Sequence, residues 1–181
     1  VVAPAARVRD YPDRERLDGV GERALNTSVR EQGLITRFYE AFANRDAATM
    51  ARCYTANARF SDPVFPNLRG EQVGAMWRML CQRATDLRIE FRVLLEARPG
   101  GSAHWEAWYT YSASGRPVHN AIDATFVFQG GLIAVHEDSF DLYRWTRQAL
   151  GIPGVLLGWT PFMRRAIQRR AAQSLARFSA T

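Results

Sequence analysis

Apolar side chains recur at helical spacing at Leu34, Ile35, Phe38, Tyr39 and Phe42, which predicts a helix with one buried face beginning after about Asn26. "NRDAATM" breaks that face, and Asp46 is placed to N-cap a short second helix running through Ala51 to Tyr54. The following "ARFSDPVFP" is extended, because Pro63 and Pro66 forbid a helix. A third helix is predicted in "GEQVGAMWRMLCQ", with Val73, Met76, Trp77 and Leu80 on one face. Beyond Thr85 the period shortens to that of strands. "LRIEFRVLLEA", "HWEAWYTYS", "VHNAIDATFVF" and "LIAVHEDSFDLY" alternate apolar and polar positions. Their links "ASGRP" and "QGG" are too short for helical crossovers, so antiparallel pairing is expected. In the tail, Thr160 and Pro161 suit the N-cap and first position of a last helix. There Phe162, Ile167, Leu175 and Phe178 fall near one face, and Arg164, Arg165, Arg169 and Arg170 crowd much of the rest. Helices first and a sheet afterwards predict an α+β fold with the helices packed on one sheet face. Residues 1–25 carry no period and read as an arm, 26–142 as the α+β unit, and 143–181 as a helical C-terminal extension packing on it.

Composition narrows the class. With 47% apolar and 23% charged residues over 181 positions, the chain suits one soluble domain with a single core. Aromatics at 12% fit a large core or an aromatic-lined cavity. No apolar run approaches the roughly 20 residues of a membrane span, and "VVAPAARVRD" lacks a signal-peptide pattern, so a cytoplasmic protein is the expectation. Cys53 and Cys81 lie far apart without zinc spacing and read as two buried free thiols. The three histidines are scattered, and neither a metal nor any cofactor is expected. Every basic residue is Arg, which excludes a Schiff-base lysine and a P-loop. Much of the net charge of +6 falls after residue 140. The plain reading of that stretch is an amphipathic helix with solvated arginines, so neither nucleic acid nor membrane is expected as a partner.

Asp62 is the chemically odd residue, a carboxylate between Phe60, Val64 and Phe65 and followed by Pro63. Two readings apply: a turn acid bonded to nearby backbone N–H groups, or a proton-transfer group whose pKa the apolar wall raises. "ITRFYEAFANRD", "ARFSDPVFPNLRG" and "FVFQGGLIAVHEDSFD" resemble the nuclear transport factor 2-like superfamily of ketosteroid isomerases and SnoaL-type polyketide cyclases, over residues from about 30 to 142. The resemblance implies a cone-shaped barrel, a curved antiparallel sheet wrapped around the N-terminal helices. It implies that Asp62 stands at the general-base position. Phe38 and Ala124 then stand where the isomerases carry their two oxyanion donors, so both donors are missing.

If Phe128 pairs with Leu132, Ala124 lies opposite His136 and Ile122 opposite Asp138. The sheet parity that the resemblance implies puts Asn120, Ala124, Phe126, His136, Asp138 and Phe140 on the concave face. The candidate catalytic set is therefore Asp62 as base, His136 as donor and Asp138 as its orienting partner. Asn120 would assist as a neutral donor, with walls from Phe38, Trp77, Trp105, Tyr109, Tyr111, Phe126 and Phe140. His136 and Asp138 read equally well as a buried structural pair. Trp108, Thr110 and His119 fall on the convex face, where a homodimer is expected. The resemblance implies cofactor-independent acid–base isomerisation, dehydration or cyclisation of an apolar polycyclic or polyketide-like small molecule. The alternative is a non-catalytic ligand-binding or dimeric assembly module on the same fold.

Overall fold

A computed structural model describes residues 33–97 and 99–180; the arm read over residues 1–25 lies outside the described residues. Helix α1 covers residues 33–43, and its predicted apolar face is fully used: Leu34, Ile35, Phe38, Tyr39 and Phe42 are all buried. Burying each side chain of this size contributes roughly 1.5–3 kcal/mol. Asp46 does cap α2 (Ala47–Arg52), its side chain accepting from the Thr49 N–H at 2.9 Å. That helix stops before Tyr54, which instead opens strand β1 (Tyr54–Ser61). The reason is local: an aromatic followed by β-branched Thr55 favours a strand once Cys53 N–H closes the turn onto Met50 C=O. A two-residue β2 (Leu68–Arg69) and helix α3 (Glu71–Arg83) follow, and Arg45 ties the end of α3 down by donating to the Ala84 and Thr85 carbonyls.

The second half supplies β3 (Arg88–Ala97), β4 (Gly100–Tyr111), β5 (Arg116–Gln129) and β6 (Leu132–Ser139). The six strands form one curved, unclosed sheet in the order β2-β1-β6-β5-β4-β3. Its pairings are antiparallel as expected, except that β1 runs parallel to β6. The β5–β6 turn uses Gly130 at φ 61° and Gly131 at φ 76°, the left-handed pair that a two-residue hairpin demands. Gln129 therefore pairs with Leu132, and an irregularity at Val127/Phe128 shifts the register by one more. This corrects the pairing expected from sequence: Phe126 lies opposite His136, and Ala124 lies opposite Asp138. The shift leaves the faces unchanged, and Ala124, Phe126, His136 and Asp138 are all buried on the helix side.

Strand β6 also ends earlier than the alternation predicts. Asp141 accepts from Arg144 N–H and so caps α4 (Leu142–Leu150). Leu142, Trp145 and Ala149 of α4 pack on Val118 of β5. Helix α5 (Ile152–Leu157) folds back on α4 through glycines. A Cβ on Gly154 would stand 1.9 Å from the Thr146 carbonyl oxygen, and one on Gly158 2.0 Å from Thr146 Oγ1. Thr160 caps α6 (Pro161–Ser179) by accepting from Met163 N–H. Helix α6 then runs along α3, with Leu175 buried and Ala171 and Phe178 packed on the main core. Cys53 and Cys81 are free and buried. Among the described residues, no helix is long and apolar enough to cross a membrane.

Candidate active site

Between the concave sheet face, α3, α4 and α6 lies a cavity of about 500 Å³, a size that suits a small organic ligand. Phe60, Trp77, Trp105, Phe140, Met163 and Ile167 give it apolar walls, and exposed Arg83 and Arg170 stand at its solvent side. Its acidic groups are Asp62 and Asp138. Asn120, Tyr109 and Tyr111 also line it.

Asp62 satisfies both sequence readings at once. Its Oδ1 accepts from the N–H groups of Val64 (2.7 Å) and Phe65, while its own N–H donates to Phe65 C=O at 3.0 Å. Pro63 holds this turn, and Gln168 of α6 donates to the Pro63 carbonyl at 3.1 Å. The second carboxylate oxygen has no hydrogen-bond partner among the described residues, and the group lines the cavity. Burial pushes the Asp62 pKa from 3.8 up to about 6, with the Asp138 charge adding to the rise. The two backbone N–H donors and His136 oppose it.

Asp138 is held by two donors on one oxygen, His136 Nε2 at 3.0 Å and Trp105 Nε1 at 3.4 Å. His136 is 0% exposed and does not line the cavity. Its Nδ1 is 2.6 Å from the Tyr54 hydroxyl, which in turn accepts from Trp77 Nε1 at 3.1 Å. An indole N–H can only donate, so the Tyr54 oxygen receives that hydrogen, and Tyr54, His136 and Asp138 continue from it as one buried chain of hydrogen bonds. Phe38, Phe60, Trp77 and Phe126 enclose the imidazole, with ring centroids 4.3–6.1 Å away.

The sequence-predicted residues therefore divide into two layers. Asp62, Asp138, Asn120, Trp77, Trp105, Tyr109, Tyr111 and Phe140 line the cavity; His136, Phe38 and Phe126 lie behind it. His136 reaches the cavity only through Asp138, so an imidazole donating directly to a bound molecule is not what this geometry offers. Ala124 stands beside Asp138, which reaches the cavity from the neighbouring strand. Tyr39, next to Phe38, turns elsewhere, stacking on Phe91 with its buried hydroxyl unpartnered. An unpaired buried hydroxyl costs about 1–3 kcal/mol.

Two functional details escape sequence reasoning. Tyr54 enters the network because α2 ends two residues early, turning a helix-end residue into an inward strand residue. Tyr109 is more than a wall: its hydroxyl accepts from Trp145 Nε1 at 2.8 Å, leaving its own hydrogen to offer. Burial raises its pKa to about 12, so it stays a neutral donor. No spacing or motif connects Tyr109 to a tryptophan in the C-terminal extension. Among the described residues, no group of three or more His, Cys, Asp or Glu is arranged to hold a metal ion.

Comparison with known proteins agrees with this architecture. The family model of the SnoaL-like domain matches residues 35–136. No protein of curated function matches the sequence significantly. Several solved structures share the fold at low identity. A candidate polyketide cyclase from Silicibacter has a TM-score of 0.58 at 15% identity, covering 65% of this chain and 93% of its own. An epoxide hydrolase of the LEH-like type from M. tuberculosis has a TM-score of 0.55 at 16% identity, covering 68% and 91%. A Catenulispora acidiphila protein with a ketosteroid isomerase-like fold, solved with trimethylamine, has a TM-score of 0.59 at 14% identity, covering 71% and 97%.

Proposed function

The chain belongs to the SnoaL-like family, and on that premise we propose that it is a cofactor-independent acid–base enzyme acting on an apolar polycyclic or polyketide-like molecule. The observation that carries this reading is the pair of carboxylates, Asp62 and Asp138, on one otherwise apolar cavity, with the Asp62 pKa raised to about 6. A base of that pKa is ionised at neutral pH yet holds a proton more tightly than an ordinary carboxylate, the compromise general-base catalysis favours. Asp62 would take a proton from carbon next to a carbonyl. The negative charge arriving on the carbonyl oxygen would be met by the hydroxyl of Tyr109 and the amide of Asn120. Protonated Asp62 would then return the proton at another carbon, or to a departing hydroxyl, giving isomerisation or dehydration. Asp138, fixed by His136 and Trp105, keeps the proton affinity of Asp62 high.

The test does not require the natural substrate. A panel of polycyclic ketones incubated in D2O is followed by NMR for exchange at the carbon beside the carbonyl. The wild-type protein is expected to catalyse exchange with a rate that rises with pH through about 6. Asp62→Asn is expected to lose on the order of 10²–10⁴-fold while still binding the ketone. A second reading, a non-catalytic binder on the same cavity, draws on Phe38 and Ala124 standing at the isomerases' donor positions. Tight ketone binding with equal exchange in wild type and Asp62→Asn would favour it and overturn the first.

A further inference from the structure

The exposed large apolar side chains of the described residues are concentrated in one place. Apart from Val127, they are Ile152, Val155, Leu156, Leu157, Trp159 and Phe162, in α5, the turn after it and the start of α6. Leu156 is 63% exposed and Trp159 is 70% exposed. The cause lies in how α5 packs. Its inward face is Gly154 and Gly158, seated against the backbone and hydroxyl of Thr146, where no side chain fits. The apolar face of the helix is thereby turned outward, the reverse of an ordinary surface helix.

Charge is distributed just as unevenly. Residues 142–181 contain seven arginines and no Asp or Glu, while the rest of the chain has 17 arginines against 18 acids. The whole net positive charge of the chain thus belongs to the segment that carries the apolar patch. Arg144 and Arg147 on α4 and Arg164 and Arg165 on the first turns of α6 are exposed. Solvated arginines on α6, as read from the sequence, account for that helix, whose other face packs on the core. They do not account for α5.

We propose that α5 and the start of α6 form a docking surface for an anionic lipid bilayer, on which the protein rests without crossing. Exposed aliphatic side chains with a tryptophan enter the boundary between headgroups and acyl chains, and flanking arginines meet anionic headgroups. With no Asp or Glu from residue 142 onward, the segment itself brings no acid to such a surface. This departs from the sequence expectation that membranes are not partners. It is independent of the acid–base reading, since none of the patch side chains touches Asp62 or Asp138.

The experiment is co-sedimentation of the full chain with phosphatidylcholine vesicles and with vesicles containing phosphatidylglycerol, at low and high salt. Wild type is expected to sediment with the anionic vesicles at least about tenfold more than with the neutral ones, and to be released by salt. A Leu156→Ser/Trp159→Ser double variant, altered only at exposed positions, is expected to keep its circular dichroism and melting behaviour and to lose sedimentation. An Arg164→Gln/Arg165→Gln variant is expected to lose the preference for anionic vesicles. Wild type remaining in the supernatant with both vesicle types overturns the proposal, as does sedimentation unchanged in the Leu156/Trp159 variant. A dimer that the Leu156/Trp159 variant dissociates, with no vesicle binding, also overturns it and assigns the patch to a second copy of the chain.

Discussion

Two histidine–carboxylate arrangements sit on opposite faces of the same sheet. On the concave side, His136 and Asp138 have side chains 0% and 3% exposed, and each is tied to further donors. On the convex side, His104 Nδ1 meets Asp123 at 2.7 Å and His119 Nε2 meets Glu106 at 2.5 Å, with side chains 32–76% exposed. Trp108 covers His119 at a centroid distance of 4.6 Å, and Arg88 lies over Trp108 at 3.9 Å. The residue types are the same and the distances similar, yet the physical weight differs. A buried pair stripped of one partner leaves a polar group with no water to turn to, whereas an exposed pair simply rehydrates. Strand parity alone decides which case a given histidine falls into.

The largest effect is expected where the dry pair is broken. His136→Ala removes a buried hydrogen-bond partner from both Asp138 and Tyr54, and should destabilise the fold by about 3–5 kcal/mol in urea unfolding. A loss comparable to a surface substitution would place this pair in the same class as the convex ones. Next comes Asp62→Asn, which should raise stability above pH 6. Because the folded pKa is raised from 3.8 to about 6, the native state holds more protons than the unfolded one between those values. Stability therefore falls as pH rises through that window, and the ionised group stays unfavourable above it. Asparagine keeps the oxygen that caps Val64 and Phe65 and removes the charge. The gain at neutral pH is expected at roughly 1–2 kcal/mol after allowing for partial exposure, and should vanish below pH 4. Unfolding curves collected across pH measure it.

Tyr109→Phe leaves the Trp145 N–H without its acceptor, so it is expected to cost about 1 kcal/mol of stability, and to slow ketone exchange by about ten- to a hundredfold, through the rate and not through binding. The smallest effect belongs to the convex face. Hydrogen bonding to His119 holds the Glu106 carboxyl below its ordinary value. The contribution of such a depressed acid is present above its unfolded pKa and is lost as pH falls through the folded one. Glu106→Gln should therefore remove only an acid-side slope in melting temperature. Cavity binding should not change; if it did, the two faces would be coupled.

The elements and their faces were legible in the chain because they follow from local periods and caps. Asp46 and Thr160 cap the helices expected of them, and the even-numbered residues Val118, Ile122, Ala124, Phe126 and Phe128 of β5 and His136 and Asp138 of β6 are buried as the alternation predicts. Register was less legible, because it depends on a glycine hairpin and an irregularity at Val127/Phe128 that no alternation announces. That is why the residue expected opposite Ala124 was His136 and the one found there is Asp138. The identity of Asp62 as the odd acid was plain, but the partition of the other candidates into cavity wall and supporting layer was not. It depends on side-chain reach across strands and on Tyr54, whose role appears only once β1 is known to begin at that residue. The glycine seat of α5 was equally hidden, since "GVLLG" has the composition of an ordinary buried helix.

The hydrogen bond from Trp145 to Tyr109 ties the C-terminal extension to the part of the chain that carries the family match. Residues 35–136 carry the family match, yet Leu150, Met163, Ile167 and Ala171 complete the cavity from outside it. If Asp62 is the base proposed above, one stretch of the chain carries the proton-moving group and another carries part of the wall around its ligand. Substitutions in the tail should then alter which ketones bind without altering the pH at which Asp62 titrates.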